Sequence, residues 1–458
     1  MRRGREDGSV NDTIAAIATP PGRGAIAIVR VSGAGAREIA DRVFVSREAL
    51  RPRLATTGEV VDAGGKRLDQ GLALFFPGPR SYTGEDVLEL HVHGSPAVAR
   101  DVLIATFAAG ARLAQPGEFT RRAYLAGKLD LSAAEAVADL IASEHSSAVR
   151  AAAARLSGGL AREVETLRGL LDGVLEELAA AIDFPDEVDD PPRARVAECL
   201  ALVRARIESL AQSWERGRIV RDAPSVAIVG PPNAGKSSLL NALLGQERAL
   251  VSELAGTTRD TIEELLALDG LALRLIDTAG IRAHADRLER AGIERTESAL
   301  AQARVALVVI DGSIPLGDEA RRLLARTRTQ ARVVFFNKRD AGRAGFEARE
   351  ATEAEALFGS AFDAASVDAL RTALGAAFAG DERVDLERPH LGSARQAGAV
   401  LEADRALAAA QETLESDAPL DLLAGDVAAA IAALGELTGR DASEALLDAI
   451  FARFCIGK

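Results

Sequence analysis

The stretch GPPNAGKS, Gly230 to Ser237, fits the spacing G-x-x-x-x-G-K-[ST]. It follows the apolar run SVAIVG (225–230) and precedes the helix-like SLLNALLG. In that context backbone amides and a helix N-terminus gather phosphate oxygens. Asn233, Ala234, Gly235, Lys236, Ser237 and Ser238 are therefore candidate nucleotide contacts. Lys236 offers a point charge to the β- and γ-phosphates, and Ser237 a hydroxyl to Mg²⁺. DTAG (277–280) follows the strand LRLI, so Asp277 can reach Mg²⁺ and Gly280 the γ-phosphate, with Thr278 and Ala279 between them. GTTRD (256–260) offers Thr257 and Thr258, the latter a second Mg²⁺ candidate. NKRD (337–340) ends another strand. There Asn337 and Asp340 can accept from and donate to a guanine edge, Asp340 taking the ring N–H and amino group, with Lys338 between them.

One such motif is weak evidence; four in this order resemble the translation-factor class of GTPases. Asp269-Gly270, inside LLALDGLALRL, is a hairpin signal where such enzymes pair two adjacent strands. Ser360 and Ala361 resemble the last guanine-contacting motif, with Phe362 where a basic residue is common. Ile281 follows DTAG, where Ras-like enzymes place a glutamine that orients the attacking water. Isoleucine can neither donate nor accept, so another group must hold that water.

These motifs need a frame. The 458 residues allow about three domains at ~150 residues each. Residues 1–128 alternate strand-like runs, AIAIVRVSG and DVLELHVHG, with Gly and Pro. Residues 129–222 turn Ala/Leu/Glu/Arg-rich and helical, with Ser132 and Glu135 read as a capping box and IDFPDEVDDPP (182–192) as a break. Residues 223–380 alternate apolar strands with helices, the pattern of a parallel sheet covered on both faces. Residues 381–458 are helical again, and SEALLDAIFARF puts Leu446, Leu447, Ile450, Phe451 and Phe454 on one face. A net charge of −13 argues against indiscriminate nucleic-acid binding. Two cysteines, Cys199 and Cys455, fit a reducing cytoplasm, and no apolar run approaches the ~18 residues of a membrane span.

DTIAAIATPPGRGAIAIVRVSG, SYTGEDVLEL, QPGEFTRRAYLAGKLDLSAAEAVADLI, AIDFPDE, AGTTRD, LERAGIER and the final FCIGK resemble the MnmE (TrmE) family over nearly the whole chain. That resemblance implies an α/β multidomain protein. It has a folate-binding α+β N-terminal domain that dimerises and an all-α domain built from both sides of an inserted Ras-like α/β P-loop G domain. It implies a K⁺ ion in place of an arginine finger, held by Asn233, Ser252, Thr257 and the carbonyl of Leu254, within a nucleotide-contacting loop that includes Glu253, Ala255 and Gly256. A cation there stabilises developing charge. The resemblance puts the water-orienting glutamate at Glu289 and the folate site at Arg30, Glu89, Lys128 and Lys458. It implies a reduced folate (5-formyl- or methylene-tetrahydrofolate) as one-carbon source and tRNA as substrate. It also implies a homodimer joined by the FAD-dependent MnmG (GidA) in a heterotetramer; no FAD fingerprint G-x-G-x-x-G is evident here.

Cys455 stands three residues from Lys458. The resemblance makes it necessary for modification at C5 of the wobble uridine and dispensable for GTP hydrolysis, its role as nucleophile, acid/base or positional residue left open. Alternation puts Glu89, His91 and His93 on one strand face, a candidate metal trio with no fourth ligand in view. Ser95 stands where the family generally has a second glycine, so the turn after His93 is expected to differ. A ribosome-assembly GTPase would share every G motif, but TPPGRG and FCIGK argue against it; against a regulatory GTPase without modification chemistry stands Cys455 together with Arg30, Glu89 and Lys128.

Overall fold

A computed structural model describes residues 12–245, 263–268, 271–277, 297–342, 356–379, 390–416, 418–440 and 442–458. The chain divides into two compact units. One gathers Met1–Ile141, Arg155–Ala211 and Gly392–Lys458; the other gathers Ala142–Ala154 and Gln212–Leu391.

The first unit is built on a seven-stranded sheet. Its strands are β1 (Ile14–Ile17), β2 (Ile26–Ser32), β3 (Phe44–Val45), β4 (Thr56–Val61), β5 (Arg67–Phe76), β6 (Val87–His93) and β7 (Arg112–Leu113). They lie in the order β3-β4-β5-β6-β2-β1-β7, antiparallel except for β1 beside β7. Period-two alternation sorts the faces. Val29, Val31, Leu88, Leu90 and Val92 point into a core shared with Ile39 and Val43 of α1 (Ala36–Val43) and Val102 of α2 (Pro96–Ala108). Arg30, Glu89 and His91 occupy the opposite, half-exposed face. Ser95 caps α2 in extended backbone (φ −91°) with Pro96 next, so no glycine is required there. Gly94 is the fixed position instead: a Cβ on it would lie 2.2 Å from the Gly24 carbonyl oxygen.

Helices α3 (Glu118–Leu125), α4 (Leu131–Ala142), α5 (Ser146–Leu156), α6 (Gly159–Asp183) and α7 (Arg193–Asp222) follow. The proline-rich segment does separate α6 from α7. The expected capping box is not formed. Ser132 is buried inside α4, and Asp130 Oδ1 accepts from the Ala133 amide at 2.9 Å. Glu135 turns away to Arg395 (2.9 and 3.0 Å) and Gln396 (2.6 Å). That bond set joins α4 to the start of a helix far along the chain, Ala394–Glu415. A second long helix, Leu420–Thr438, packs on both α6 and Ala394–Glu415, with Val427 and Leu434 buried.

Among its described residues the second unit holds six strands: β8 (Ser225–Val229), β9 (Glu263–Leu268), β10 (Leu271–Asp277), β11 (Val305–Asp311), β12 (Arg332–Asn337) and β13 (Ala356–Phe358). Their order is β13-β12-β11-β8-β10-β9, parallel except for β9 against β10. β11 is buried almost end to end, as a sheet covered on both faces requires. Helix α8 (Lys236–Leu244) follows β8, and α9 (Asp318–Arg326) and α10 (Ala364–Ala379) follow later. Asp269 and Gly270 lie outside the described residues; β9 and β10 on either side pair antiparallel, Leu268 opposite Leu271.

Candidate functional site

The loop between β8 and α8 is shaped by close approach. A Cβ on Gly230 would sit 2.1 Å from the Val309 carbonyl oxygen. One on Gly235, whose φ is +89°, would sit 2.3 Å from Asn337 Nδ2. Asn233 has φ +61°, a left-handed conformation that asparagine tolerates better than most residues. The loop thus presents backbone rather than side chains, as a phosphate cradle needs. Lys236 Nζ donates to the carbonyls of Gly230 (2.7 Å) and Pro231 (2.8 Å), which holds its charge at the loop's mouth. Ser237 and Ser238 are exposed at the helix start, and Ala234 is buried. The donor set suits a nucleotide's phosphates with Mg²⁺ on Ser237.

Asn337 joins two loops through its side chain. Its side chain is buried, with Nδ2 donating to the Ala234 carbonyl at 3.0 Å and Oδ1 accepting from the Ala361 amide at 2.9 Å. It ties the phosphate loop to the Ser360–Ala361 loop. Asp340 is exposed beyond it. Lys338 takes φ +66° and bonds Asp311 Oδ2 at 2.7 Å. Burial would raise Asp311, but the Lys338 ammonium and two Ser313 donors outweigh it and hold the carboxyl below its ordinary value. Ser360 and Ala361 are buried, while Phe362 is 85% exposed. Ser252, Glu253, Leu254, Ala255, Gly256, Thr257, Thr258, Thr278, Ala279, Gly280 and Glu289 lie outside the described residues; Asp277 ends β10.

In the first unit Arg30 and Glu89 are directly paired across β2 and β6. Nε and Nη2 of the guanidinium both reach Glu89 Oε1 at 2.9 Å. The guanidinium carbon lies 5.8 Å from the ring centres of both Tyr82 and Phe119. Glu89 Oε2 lies 3.2 Å from His91 Nε2. His93 turns to Asp69 instead, at 2.9 Å, and among the described residues no three His, Cys, Asp or Glu side chains form a metal cluster. The candidate metal trio is therefore split between two carboxylates.

The end of the chain docks beside this pair. Helix α13 (Glu444–Phe451) is capped by Ser443 and buries Leu447, Phe451 and Phe454 against Leu131 and Ala134 of α4. The Gly117 amide donates to the Cys455 carbonyl at 3.4 Å, and the Phe119 amide to the Lys458 carbonyl at 3.2 Å. A Cβ on Gly457 would meet the Ile17 carbonyl oxygen at 2.4 Å. The tail therefore lies across the end of β1 and the start of α3, with the Cys455 residue exposed. Lys128 is exposed after α3. Tyr82, Phe119 and the network around Glu118 were missed by sequence reasoning, because only long-range packing brings them to Arg30.

Strand order and phosphate loop together define the second unit as a P-loop GTPase domain. Two family descriptions match the chain: "GTP-binding protein TrmE N-terminus" over residues 13–128, and "MnmE helical domain" over residues 131–455. A "tRNA modification GTPase MnmE" from Symbiobacterium thermophilum is 45% identical, covering 98% of this chain and 99% of that protein. Its namesake from Roseiflexus sp. is 44% identical over the same shares. The chain belongs to the MnmE family of tRNA modification GTPases.

Proposed function

We propose that this protein hydrolyses GTP to drive modification of the wobble uridine of certain tRNAs. A K⁺ ion on Asn233, Ser252, Leu254 and Thr257 activates hydrolysis, and Glu289 holds the water. A one-carbon unit from a reduced folate joins an amine at C5, giving an aminomethyl or carboxymethylaminomethyl group. A FAD-dependent partner, MnmG, shares the reaction in a heterotetramer with the homodimer. On this reading residues 1–128 bind folate and dimerise, 129–222 and 381–458 form the helical domain, and 223–380 the G domain.

The observation that carries the folate assignment is the convergence of Arg30–Glu89, Phe119 and the Cys455–Lys458 tail. Arg30 supplies a fork of donors and Glu89 a fixed acceptor, the pair a folate's carboxylates and pterin edge require. Tyr82 and Phe119 add aromatic faces on either contact of the guanidinium. Asn233 already sits at the phosphate loop with its backbone in the left-handed region, so its side chain is exposed there. Calorimetric titration with 5-formyl-tetrahydrofolate tests the site: wild type binds, and Arg30→Ala weakens binding at least about tenfold, the loss of a charge-assisted pair. A wild-type protein that does not bind the folate contradicts it.

A further inference from the structure

We infer that Glu118 is a positioning residue that sets where the Cys455–Lys458 tail lands beside Arg30; the inference rests on the folate reading above. Glu118 lies between the two residues whose amides hold the tail, Gly117 and Phe119. Its own carboxylate sits in a charge network that is partly buried. Arg112 donates to it at 2.9 and 2.6 Å, Arg122 at 2.8 Å and the Gln115 amide at 2.8 Å. The side chains of Glu118 and Arg122 are only 11% and 9% exposed.

The network reaches the sheet from three directions. Arg122 donates to the Asp12 carbonyl and to Asp12 Oδ1, each at 2.8 Å, just before β1. It also bonds both oxygens of Glu85 at 3.1 Å, and Glu85 takes the Ser32 hydroxyl of β2 at 2.7 Å. Arg112 bonds Asp12 as well. The turn at Gly117 is therefore fixed to the strands that carry Arg30 and approach Glu89. Its fit to the tail is tight: Gly117 has φ +68°, and a Cβ there would lie 2.6 Å from the Phe451 carbonyl oxygen. A carboxylate held by these donors thus fixes the residue whose two neighbours bind the tail through their amides.

Neutralising Glu118 leaves the buried Arg122 and the partly exposed Arg112 short of countercharge, and the turn relaxes around them. Hydrogen exchange on the full-length protein tests this in wild type, Glu118→Gln and Glu118→Asp. Glu118→Gln is expected to speed exchange at the Gly117 and Phe119 amides at least about tenfold while β6 amides keep their protection. Affinity for 5-formyl-tetrahydrofolate falls in parallel, and Glu118→Asp, which keeps the charge, recovers part of both. A general structural role would loosen β6 equally. Arg112→Gln, at the more exposed edge of the network, repeats the test in the same direction should Glu118→Gln not fold. Unchanged Gly117 and Phe119 protection in a folded variant overturns the inference. If the wild type does not bind the folate, the folate reading fails, while the exchange result still judges the tail's attachment.

Discussion

The backbone amide of Phe119 donates to the carbonyl of Lys458, while the Phe119 ring lies 5.8 Å from the Arg30 guanidinium carbon. One residue thus joins the end of the chain to the charged pair on the sheet. The end of the chain that carries Cys455 returns to the N-terminal sheet, anchored by Phe451 and Phe454.

Phe451 is 2% exposed and packs 5.5 Å, ring to ring, from Phe454. Phe451→Ala is expected to cost about 3–5 kcal/mol in the packing of the tail. Local hydrogen exchange over residues 444–458 should report that loss. A variant whose tail stays as protected as wild type would show that the anchor lies elsewhere.

Asn337 bridges the phosphate loop and the Ser360–Ala361 loop. Asn337→Ala leaves the Ala234 carbonyl and the Ala361 amide without that partner, at about 1–3 kcal/mol for buried unsatisfied groups. GTP and GDP should therefore lose affinity by similar factors, because both share the loop geometry. Titration with each nucleotide checks it; an unchanged affinity would return Asn337 to a peripheral role.

Burial would raise the Glu118 carboxyl, but Arg112, Gln115 and Arg122 outweigh it and hold it below its ordinary 4.5. Asp12 is lowered from 3.8 against the same burial penalty, by Arg112 and Arg122. A carboxyl lowered on folding stabilises the fold above its unfolded value and loses that contribution as pH falls through the folded value. The N-terminal unit should therefore weaken as pH drops below about 4.5, and Glu118→Gln should flatten that decline. Thermal melting between pH 3 and 7 provides the comparison; equal slopes for wild type and variant would remove Glu118 from the acid response.

The G motifs were legible because local spacing encodes them. A glycine-rich turn between an apolar strand and a helix carries its own context, and SVAIVG became the parallel strand β8. Alternation also put Glu89 and His91 on one face. What spacing could not encode was partnership. Asn337 reads as a base contact in NKRD, and only folding reveals that Ala234 and Ala361 take its carboxamide. Ser132 and Glu135 have capping-box spacing, yet Arg395, from the other end of the chain, wins Glu135 with a charge-assisted pair. Arg30, Glu89 and Lys458 were placed through family resemblance, whereas Tyr82 and Phe119 emerged only from three-dimensional packing.

Modification of tRNA through the docked tail is tested most directly by mass spectrometry of tRNA nucleosides from cells lacking the chain, complemented with wild type or Cys455→Ser. The expected result is loss of C5-substituted wobble uridine, restored by wild type and not by Cys455→Ser. A nucleoside profile unchanged by deletion would contradict the account.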